Sequence, residues 1–245
     1  MLHGMLLLER GFGDKMAKSQ KHIFWQALLV TILIFSIGII MGVVLENWRT
    51  SQIDFLAQKS EIDLLDIRLQ SEVYSGESFN CESAIKENLN FADRIFEEAK
   101  ILERYEKASR LTEDLIIQHK KYDILRATLL MNSIKIKEKC ITDYHDVVYF
   151  YEYDEPSIEI KSKQSALSKL LLDLKEKRGD NILLIPMAGD NDLSSINLIL
   201  DWYGVSPDEL PIIVIDNSIK IKDIVKIEEL EQIIDSGNSD NVIKL

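Results

Sequence analysis

Residues that break helices are scarce in this chain, which has only ten glycines and four prolines among its 245 residues. Residues 43–178 contain a single glycine, Gly76, and a single proline, Pro156. A stretch with so few breakers, rich in Glu, Lys, Leu and Ile, predicts long helices and excludes frequent turns.

Motifs that bind nucleotides or perform common hydrolytic chemistry are also missing. The sequence has no G-x-x-x-x-G-K-[ST] segment, no G-x-G-x-x-G segment and no serine in a nucleophile elbow. Of the four histidines only His145 has carboxylates beside it, Asp143 and Asp146, and the spacing is not that of a metal site. We therefore expect no catalytic residue, no metal and no cofactor, and we expect that the protein is not an enzyme.

Basic residues are outnumbered, with 29 Lys and Arg against 41 Asp and Glu and a formal net charge of −12. Within residues 1–45 the basic side chains are in excess, so the acidic surplus lies in the rest of the chain. An acidic surface without a basic stripe repels the phosphate backbone, and we expect no nucleic-acid partner.

A long uncharged segment, Ile23–Leu45, is the second strong signal, because it is long enough to cross a bilayer as a helix. Trp25 and Trp48 lie near its ends, where interfacial aromatic residues are expected. No cleavage site for a signal peptide follows, so the segment is predicted to remain as a signal anchor. The basic residues before it favour a cytoplasmic N-terminal segment, and this bias is weaker if Met16 rather than Met1 is the start.

These features predict a single-pass protein of the cell membrane, with residues 1–22 in the cytoplasm, residues 23–45 in the lipid and the remainder outside the cytoplasm. Gly38 and Gly42 form a G-x-x-x-G pair, which lets two membrane helices approach closely and predicts a homodimer contact. The alternative is that these glycines have no such role, since glycine is common in membrane helices.

Residues 46–142 are predicted to form a helical stalk followed by an antiparallel helical hairpin. One helix without breakers is expected to run from the membrane to Tyr74. Its apolar face outside the membrane is too short for a long coiled coil, so we expect it to pack on the next two helices. The residues of this face are Phe55, Ile62, Leu65 and Leu69.

The two helices of the hairpin each have apolar residues at helical spacing. The first, capped by Asn80, has its apolar residues at Cys81, Ile85, Leu89, Ala92, Phe96 and Ala99. The second has them at Leu115, Tyr122, Leu125, Leu129, Ile136 and Cys140. A turn near residues 110–111 would bring the two helices side by side.

In such a hairpin Cys81 and Cys140, the only cysteines, meet at the open end. A disulfide between them requires an oxidising compartment, in agreement with the predicted orientation in the membrane. The alternative is a pair of free cysteines in the core, where this residue type is common.

The remainder of the chain alternates strand-like and helix-like segments. Apolar runs rich in β-branched residues predict strands at 147–151, 181–186, 211–216 and 219–225. Helical periodicity predicts helices at 162–177, 193–203 and 227–234. Asp192 is the expected cap of the second helix, and Asn217–Ser218 is the expected turn between the last two strands.

This β-α-β-α-β-β-α order, with Trp-Tyr-Gly-Val at 202–205 and with Leu210 and Pro211 before a strand, resembles the thioredoxin superfamily. The resemblance implies an α/β thioredoxin-like domain at 143–235 and a cis peptide bond at Pro211. The polar residues 236–245 are expected to form a flexible tail. The CxxC motif of that family should follow the first strand. Here Glu-Pro-Ser-Ile stands at 155–158, so thiol–disulfide exchange cannot occur at this place.

The resemblance also implies a function, because family members without the motif act as protein-binding or chaperone-like modules. The surface that would hold an extended peptide corresponds to Glu155, Pro156, Ile158, Leu210 and Pro211. We therefore expect a protein partner, besides membrane lipid, and a role as an extracytoplasmic binding or assembly factor. Two alternatives stay open: a thiol–disulfide oxidoreductase that uses Cys81 and Cys140, and a structural subunit of a membrane complex.

Overall fold

The computed structural model describes residues 3–108, 113–154 and 156–236. The predicted turn near residues 110–111, the side chain of Glu155 and the tail beyond Ser236 lie outside this part of the chain. The chain divides into two compact units, Met1–Phe55 and Leu56–Leu245.

The first unit belongs to a single long helix, α1 (His3–Ser75). Its segment His22–Trp48 is long and apolar enough to cross a membrane, and none of it is buried against the protein. The predicted span, Ile23–Leu45, lies within this segment. Gly38 and Gly42 have open space beside their Cα atoms, as a helix-packing contact would require. The topology and the orientation in the membrane stay predictions.

The helical part of the second unit consists of the end of α1 together with α2 (Cys81–Ala108) and α3 (Glu113–Lys139). Asn80 caps α2 as predicted, since its Oδ1 accepts a hydrogen bond from the backbone N–H of Ser83 at 2.8 Å. The helices α2 and α3 pack along each other as the two arms of a hairpin.

A four-stranded mixed sheet forms the other part of the second unit, with strand order β2-β1-β3-β4. The strands are β1 (His145–Tyr151), β2 (Ile182–Ala188), β3 (Ile212–Ile215) and β4 (Ile219–Ile221). The central strand β1 is parallel to β2 and antiparallel to β3, and β4 is antiparallel to β3. The helices between and after the strands are α4 (Ile158–Arg178), α5 (Ser194–Tyr203) and α6 (Ile227–Ser236).

Helices cover both faces of the sheet. Successive side chains of β1 point to opposite faces, so each face has its own packing contacts. On one face Val147 and Tyr149 pack with apolar residues of α4 and α6, among them Leu171 and Leu230. On the other face α3 contacts β2, and the ring of Tyr203 on α5 meets the ring of Phe150 at 6.0 Å. Residues on both faces of β1 are fully buried, as its apolar composition predicts.

The prediction of which face of the end of α1 is buried is wrong. Its members are exposed by 62–68%: Phe55, Ile62, Leu65 and Leu69. The opposite face, which includes Ser60, Asp63 and Ile67, is buried instead. Hydrophobic periodicity misses this face because two of its side chains are polar and find partners: Ser60 lies 3.4 Å from Gln118 and Asp63 lies 3.6 Å from Arg94.

The residues predicted to be buried on α2 are only partly buried, because the buried face is rotated by about one residue. It consists of Ala84, Asn88, Phe91, Ile95, Glu98 and Leu102. Glu98 is buried although it is charged, because it accepts a hydrogen bond from Tyr122 and forms an ion pair with Lys59. The predicted face of α3 is confirmed: all of its members, from Leu115 to Cys140, are buried.

In the α/β part the predicted elements are present and their ends differ. Helix α4 begins four residues early, after Ser157, whose Oγ accepts the N–H of Ile160. Leu193 rather than Asp192 precedes α5 as its cap residue. The turn before β4 is centred on Asp216 and Asn217, which both have positive φ, as a primed turn requires.

The helix α3 contacts β1 through buried polar groups at the amino end of the strand. Asp146 is fully buried. Its carboxylate accepts a hydrogen bond from Ser133 at 2.6 Å and forms an ion pair with Lys137 at 2.9 Å. Lys137 also reaches Asp216, which pairs with His145. His145 therefore takes part in a hydrogen-bonded network that joins α3 to β1 and to the β3–β4 turn.

The sulfur atoms of Cys81 and Cys140 lie at disulfide distance, with their Cα atoms 5.7 Å apart. This agrees with the pairing that the hairpin predicts. The pair lies in an apolar cluster with Tyr74, Ala84 and Ile136, with Phe79 packed against it. The disulfide therefore joins the start of α2 to the segment that leads into β1.

Replacing Cys81 with serine should lower the free energy of unfolding by about 4 kcal/mol, because a loop of roughly 60 residues gains that much freedom in the chain-entropy account. Urea unfolding of the full-length protein in detergent, followed by circular dichroism, measures the loss. The double variant Cys81→Ser/Cys140→Ser is the control and should lose the same amount. A double variant that loses the sum of the two single losses would contradict the pairing.

Candidate functional site at the carboxyl ends of the central strands

Three connecting segments meet at one end of the sheet. The strands β1 and β2 are parallel and pair Tyr151 with Ala188, so both end there. The strand β3 runs the other way and pairs its first residue, Ile212, with Phe150. The residues that follow β1, follow β2 and precede β3 are therefore neighbours. The carboxyl ends of parallel strands are the usual place for binding sites in open α/β sheets.

The structure brings most of the predicted binding residues to this end. Pro156 and Ile158 follow β1, and Ile158 is 85% exposed at the start of α4. Leu210 and Pro211 immediately precede β3 and are buried. The peptide bond between them is cis, as the resemblance implies. Glu155 lies outside the described residues.

The loop after β2 comes close to both of these segments. A Cβ atom on Gly189 would lie 2.9 Å from the side chain of Leu210, so only glycine fits there without a shift. The neighbouring Asp190 carboxylate accepts the backbone N–H groups of Tyr153 and Asp154, both at 2.8 Å. These contacts fix the backbone after β1 against the backbone after β2.

A short 3-10 turn, Pro207–Glu209, leads into Leu210. The Glu209 carboxylate accepts the backbone N–H of Ser206 at 2.8 Å and pairs with Lys222. The hydrogen bonds from Lys222 and Ser206 lower the pKa of Glu209 from 4.5 to about 2. The turn is therefore closed by an ionised carboxylate at neutral pH.

A set of polar side chains that the sequence patterns did not predict lies between α3 and the same end of the sheet. We call it the strand-end cluster; it consists of His119, Asp123, Arg126, Tyr151 and Asn191. Asp123 is its centre, with Arg126 at 3.1 Å, His119 at 3.5 Å and the amide of Asn191 donating to it at 2.5 Å. His119 Nε2 and the Tyr151 hydroxyl share a hydrogen bond of 2.9 Å.

The electrostatics of the strand-end cluster follow from its burial. Asp123 is fully buried, and burial raises its pKa although His119 and Arg126 act in the opposite direction. Burial alone would lower the pKa of Arg126, but Tyr151 and Asp123 raise it, so the guanidinium stays charged. Asp123 and Arg126 thus form a buried pair at 3.1 Å, and the second oxygen of Asp123 accepts the hydrogen bond from Asn191.

The cluster encloses little space and joins α3 to the strand ends. A cavity beside Arg126, lined on its other sides by residues such as Phe96 and Pro186, has a volume of about 10 Å³, enough for about one water molecule. The Tyr153 ring stacks on His119 with 3.8 Å between centroids. The cluster therefore attaches α3 to the ends of β1 and β2.

The spacing of His119, Asp123 and Arg126 is a signal that sequence reasoning missed. Positions i, i+4 and i+7 share one face of a helix, and α3 also has apolar residues around its circumference. Polar residues at this spacing on a buried helix indicate partners elsewhere in the chain, because an unpaired buried charge is costly.

The disulfide lies at the other end of the sheet. Cys140 precedes the amino end of β1, whereas Pro156 and Pro211 lie beyond its carboxyl end. A strand of seven residues separates these ends by roughly 20 Å. Within the described residues no group of three or more His, Cys, Asp or Glu side chains is placed to hold a metal ion.

No protein family, no curated protein and no solved structure matches this chain. The function is therefore inferred from the geometry of its own residues.

Replacing Asp123 with alanine should lower the free energy of unfolding by about 3–5 kcal/mol, because Arg126 is then buried without its partner. The matched control is Asp93→Ala, which removes a more exposed carboxylate 3.7 Å from Lys175 and should cost less than about 1 kcal/mol. Urea unfolding of both variants measures the two losses. Equal losses would show that the cluster does not hold α3 against the sheet.

Because the pKa of Glu209 is lower in the folded protein, its ion pair stabilises the fold above pH 4.5 and is lost as the pH falls to about 2. Carboxyl titration by NMR should place Glu209 near pH 2 in the native protein and closer to 4.5 in Lys222→Met. In the control variant, Lys220→Met, a lysine that binds the Gly204 carbonyl is removed and the Glu209 titration should not move. An unshifted Glu209 in the native protein would contradict the geometry of the turn.

Proposed function

We propose that this protein is a membrane-anchored binding module with a thioredoxin-like, redox-inactive domain that holds an extended segment of a partner protein. The observation that carries the proposal is the placement of two segments at the same end of the sheet: Pro156–Ile158 follows β1, and Leu210–Pro211 precedes β3. The element order and the strand order β2-β1-β3-β4 support the thioredoxin-like interpretation of residues 143–235.

Binding is favoured over redox chemistry by the positions of the two cysteines. Cys81 and Cys140 lie at disulfide distance in an apolar cluster at the amino end of β1. A thiol–disulfide oxidoreductase that used them would work far from Leu210 and Pro211. The cysteine pair thus has a structural role in this proposal.

The surface at the strand ends has the properties of a peptide-binding face. Ile158 offers an exposed apolar side chain beside the rigid backbone that Asp190 fixes. Asp154 and Glu159 are exposed on either side of this segment and give it a negative charge. An extended partner segment with apolar residues and flanking basic residues is complementary to such a face.

The proposed location is the outer side of the cell membrane. The candidate span His22–Trp48 supports an anchor, and the cysteine pair supports an oxidising compartment. The N-terminal segment is then cytoplasmic and the α/β domain extracytoplasmic. The alternative of a structural subunit of a membrane complex, whose α/β domain binds nothing, predicts that deletion of residues 147–245 leaves assembly of the complex unchanged.

A photoreactive amino acid at position 158 should form a crosslink to a partner protein in native membranes, because Ile158 lies at the centre of the proposed face. Ile141 is the matched control, since it is also an exposed isoleucine, 96% against 85%, and precedes the amino end of β1. Mass spectrometry of the crosslinked bands identifies the partner segment. The proposal requires a band from position 158 that is weak or missing from position 141.

A substitution at the same position gives the second part of this test. Ile158→Arg should weaken association with the identified partner on the order of tenfold or more, as loss of an apolar anchor with added charge predicts. Crosslinks only to lipid, or the same partners from both positions, would contradict a binding face at the strand ends.

A further inference from the structure

An apolar stripe on the end of α1 has no cover from the described residues of this chain. We call it the α1 stripe; it consists of Ile62, Leu65, Leu69 and Val73. Their side chains are exposed by 58–68%. The buried face of the same helix, with Ser60 and Ile67, points the opposite way. The stripe is therefore not part of the core of this unit.

The spacing of the α1 stripe matches a helix-to-helix contact. Ile62, Leu65 and Leu69 follow each other at three and four residues, which is the a-d-a spacing of a heptad, and Val73 borders them. In a parallel pair of helices, residues at the same a or d position meet across the seam. A surface of this kind is complementary to a second copy of itself.

Glu72, exposed at the d position after Leu69, ends the apolar seam there. Glu61 and Asp66 border the stripe and would approach each other across a parallel pair. Each carboxylate has a cation within its own unit: Lys121 lies 3.1 Å from Glu61, and Arg94 lies 3.9 Å from Asp66. These internal ion pairs reduce the repulsion that two acidic chains would otherwise meet.

The candidate span in the same helix favours a second copy over other occupants. Two copies anchored in one bilayer enter it in the same direction, and a heptad spacing is compatible with a parallel pair. Four side chains per copy make an interface smaller than the roughly 1,200 Å² of stable soluble complexes. Confinement of both copies to one membrane raises their effective concentration and offsets this small size.

We propose that the protein forms a parallel homodimer through the α1 stripe, with Ile62, Leu65 and Leu69 at the seam. This inference does not depend on the proposed binding face. The face lies at the carboxyl ends of β1 and β2, on other elements of the chain.

Single added cysteines test the dimer, because the two native cysteines are paired and the described residues contain no free cysteine. Leu65→Cys and Leu69→Cys are compared with Arg68→Cys, an exposed position beside the stripe, in the full-length protein in native membranes. Under mild oxidation the two stripe variants should form linked dimers on the order of tenfold faster than Arg68→Cys, since Cα atoms more than about 7 Å apart cannot be bridged. Equal rates at all three positions, or monomers only, would overturn the proposal.

Disruption of the seam gives a second readout that does not rely on cysteine. Leu65→Lys/Leu69→Lys should remove energy transfer between copies labelled with donor and acceptor dyes in vesicles, and Arg68→Lys should leave it unchanged. The substituted side chains are exposed, so circular dichroism should show an intact fold. Transfer that persists in the double variant would place the contact elsewhere, for example at Gly38 and Gly42, and would contradict the inference.

Discussion

Two buried carboxylates fix how α3 lies against the central strand. Asp123 on α3 is paired with Arg126 of the same helix and accepts a hydrogen bond from Asn191 in the loop after β2. Asp146 on β1 is held by Ser133 and Lys137 of α3 near the amino end. A buried charge that lost its partner would cost several kcal/mol, so a slip of one helical turn between α3 and β1 is excluded. The helix and the strand therefore have one register, which apolar packing alone would not specify.

The two ends of β1 consequently have different roles. At the amino end the Asp146 network and the cysteine pair join the hairpin to the sheet, and their residues are occupied by structural contacts. At the carboxyl end the strand-end cluster ties the end of β1 to α3, while Ile158 in the segment after β1 is exposed. Rigid support under an exposed apolar side chain is a property of a preorganised binding surface, because little conformational freedom is lost on binding.

Much of the fold follows from the sequence, and the wrong predictions of the buried helix faces have one physical cause. Apolar periodicity predicts α3, the strand order along the chain and the meeting of Cys81 with Cys140. It fails on α1 and α2, where Asp63 and Glu98 are buried because cations from neighbouring helices pair with them. The same cause hides the strand-end cluster, since no local pattern shows that Asp123 will meet Asn191. The predicted site residues came from the resemblance to the thioredoxin superfamily, which rests on the order of the strands and helices and on the segments that flank them.

The thiol state of Cys81 and Cys140 in native membranes tests the account most directly, because it bears on both the proposed location of the domain and the proposed structural role of the cysteine pair. Free thiols are blocked in intact membranes, the protein is then reduced, and the newly exposed thiols are labelled and mapped by mass spectrometry. The account predicts that both cysteines are labelled only after reduction, as a linked structural pair in an oxidising compartment requires. Two thiols blocked at the first step in folded protein would contradict the predicted topology and leave the pair available for redox work.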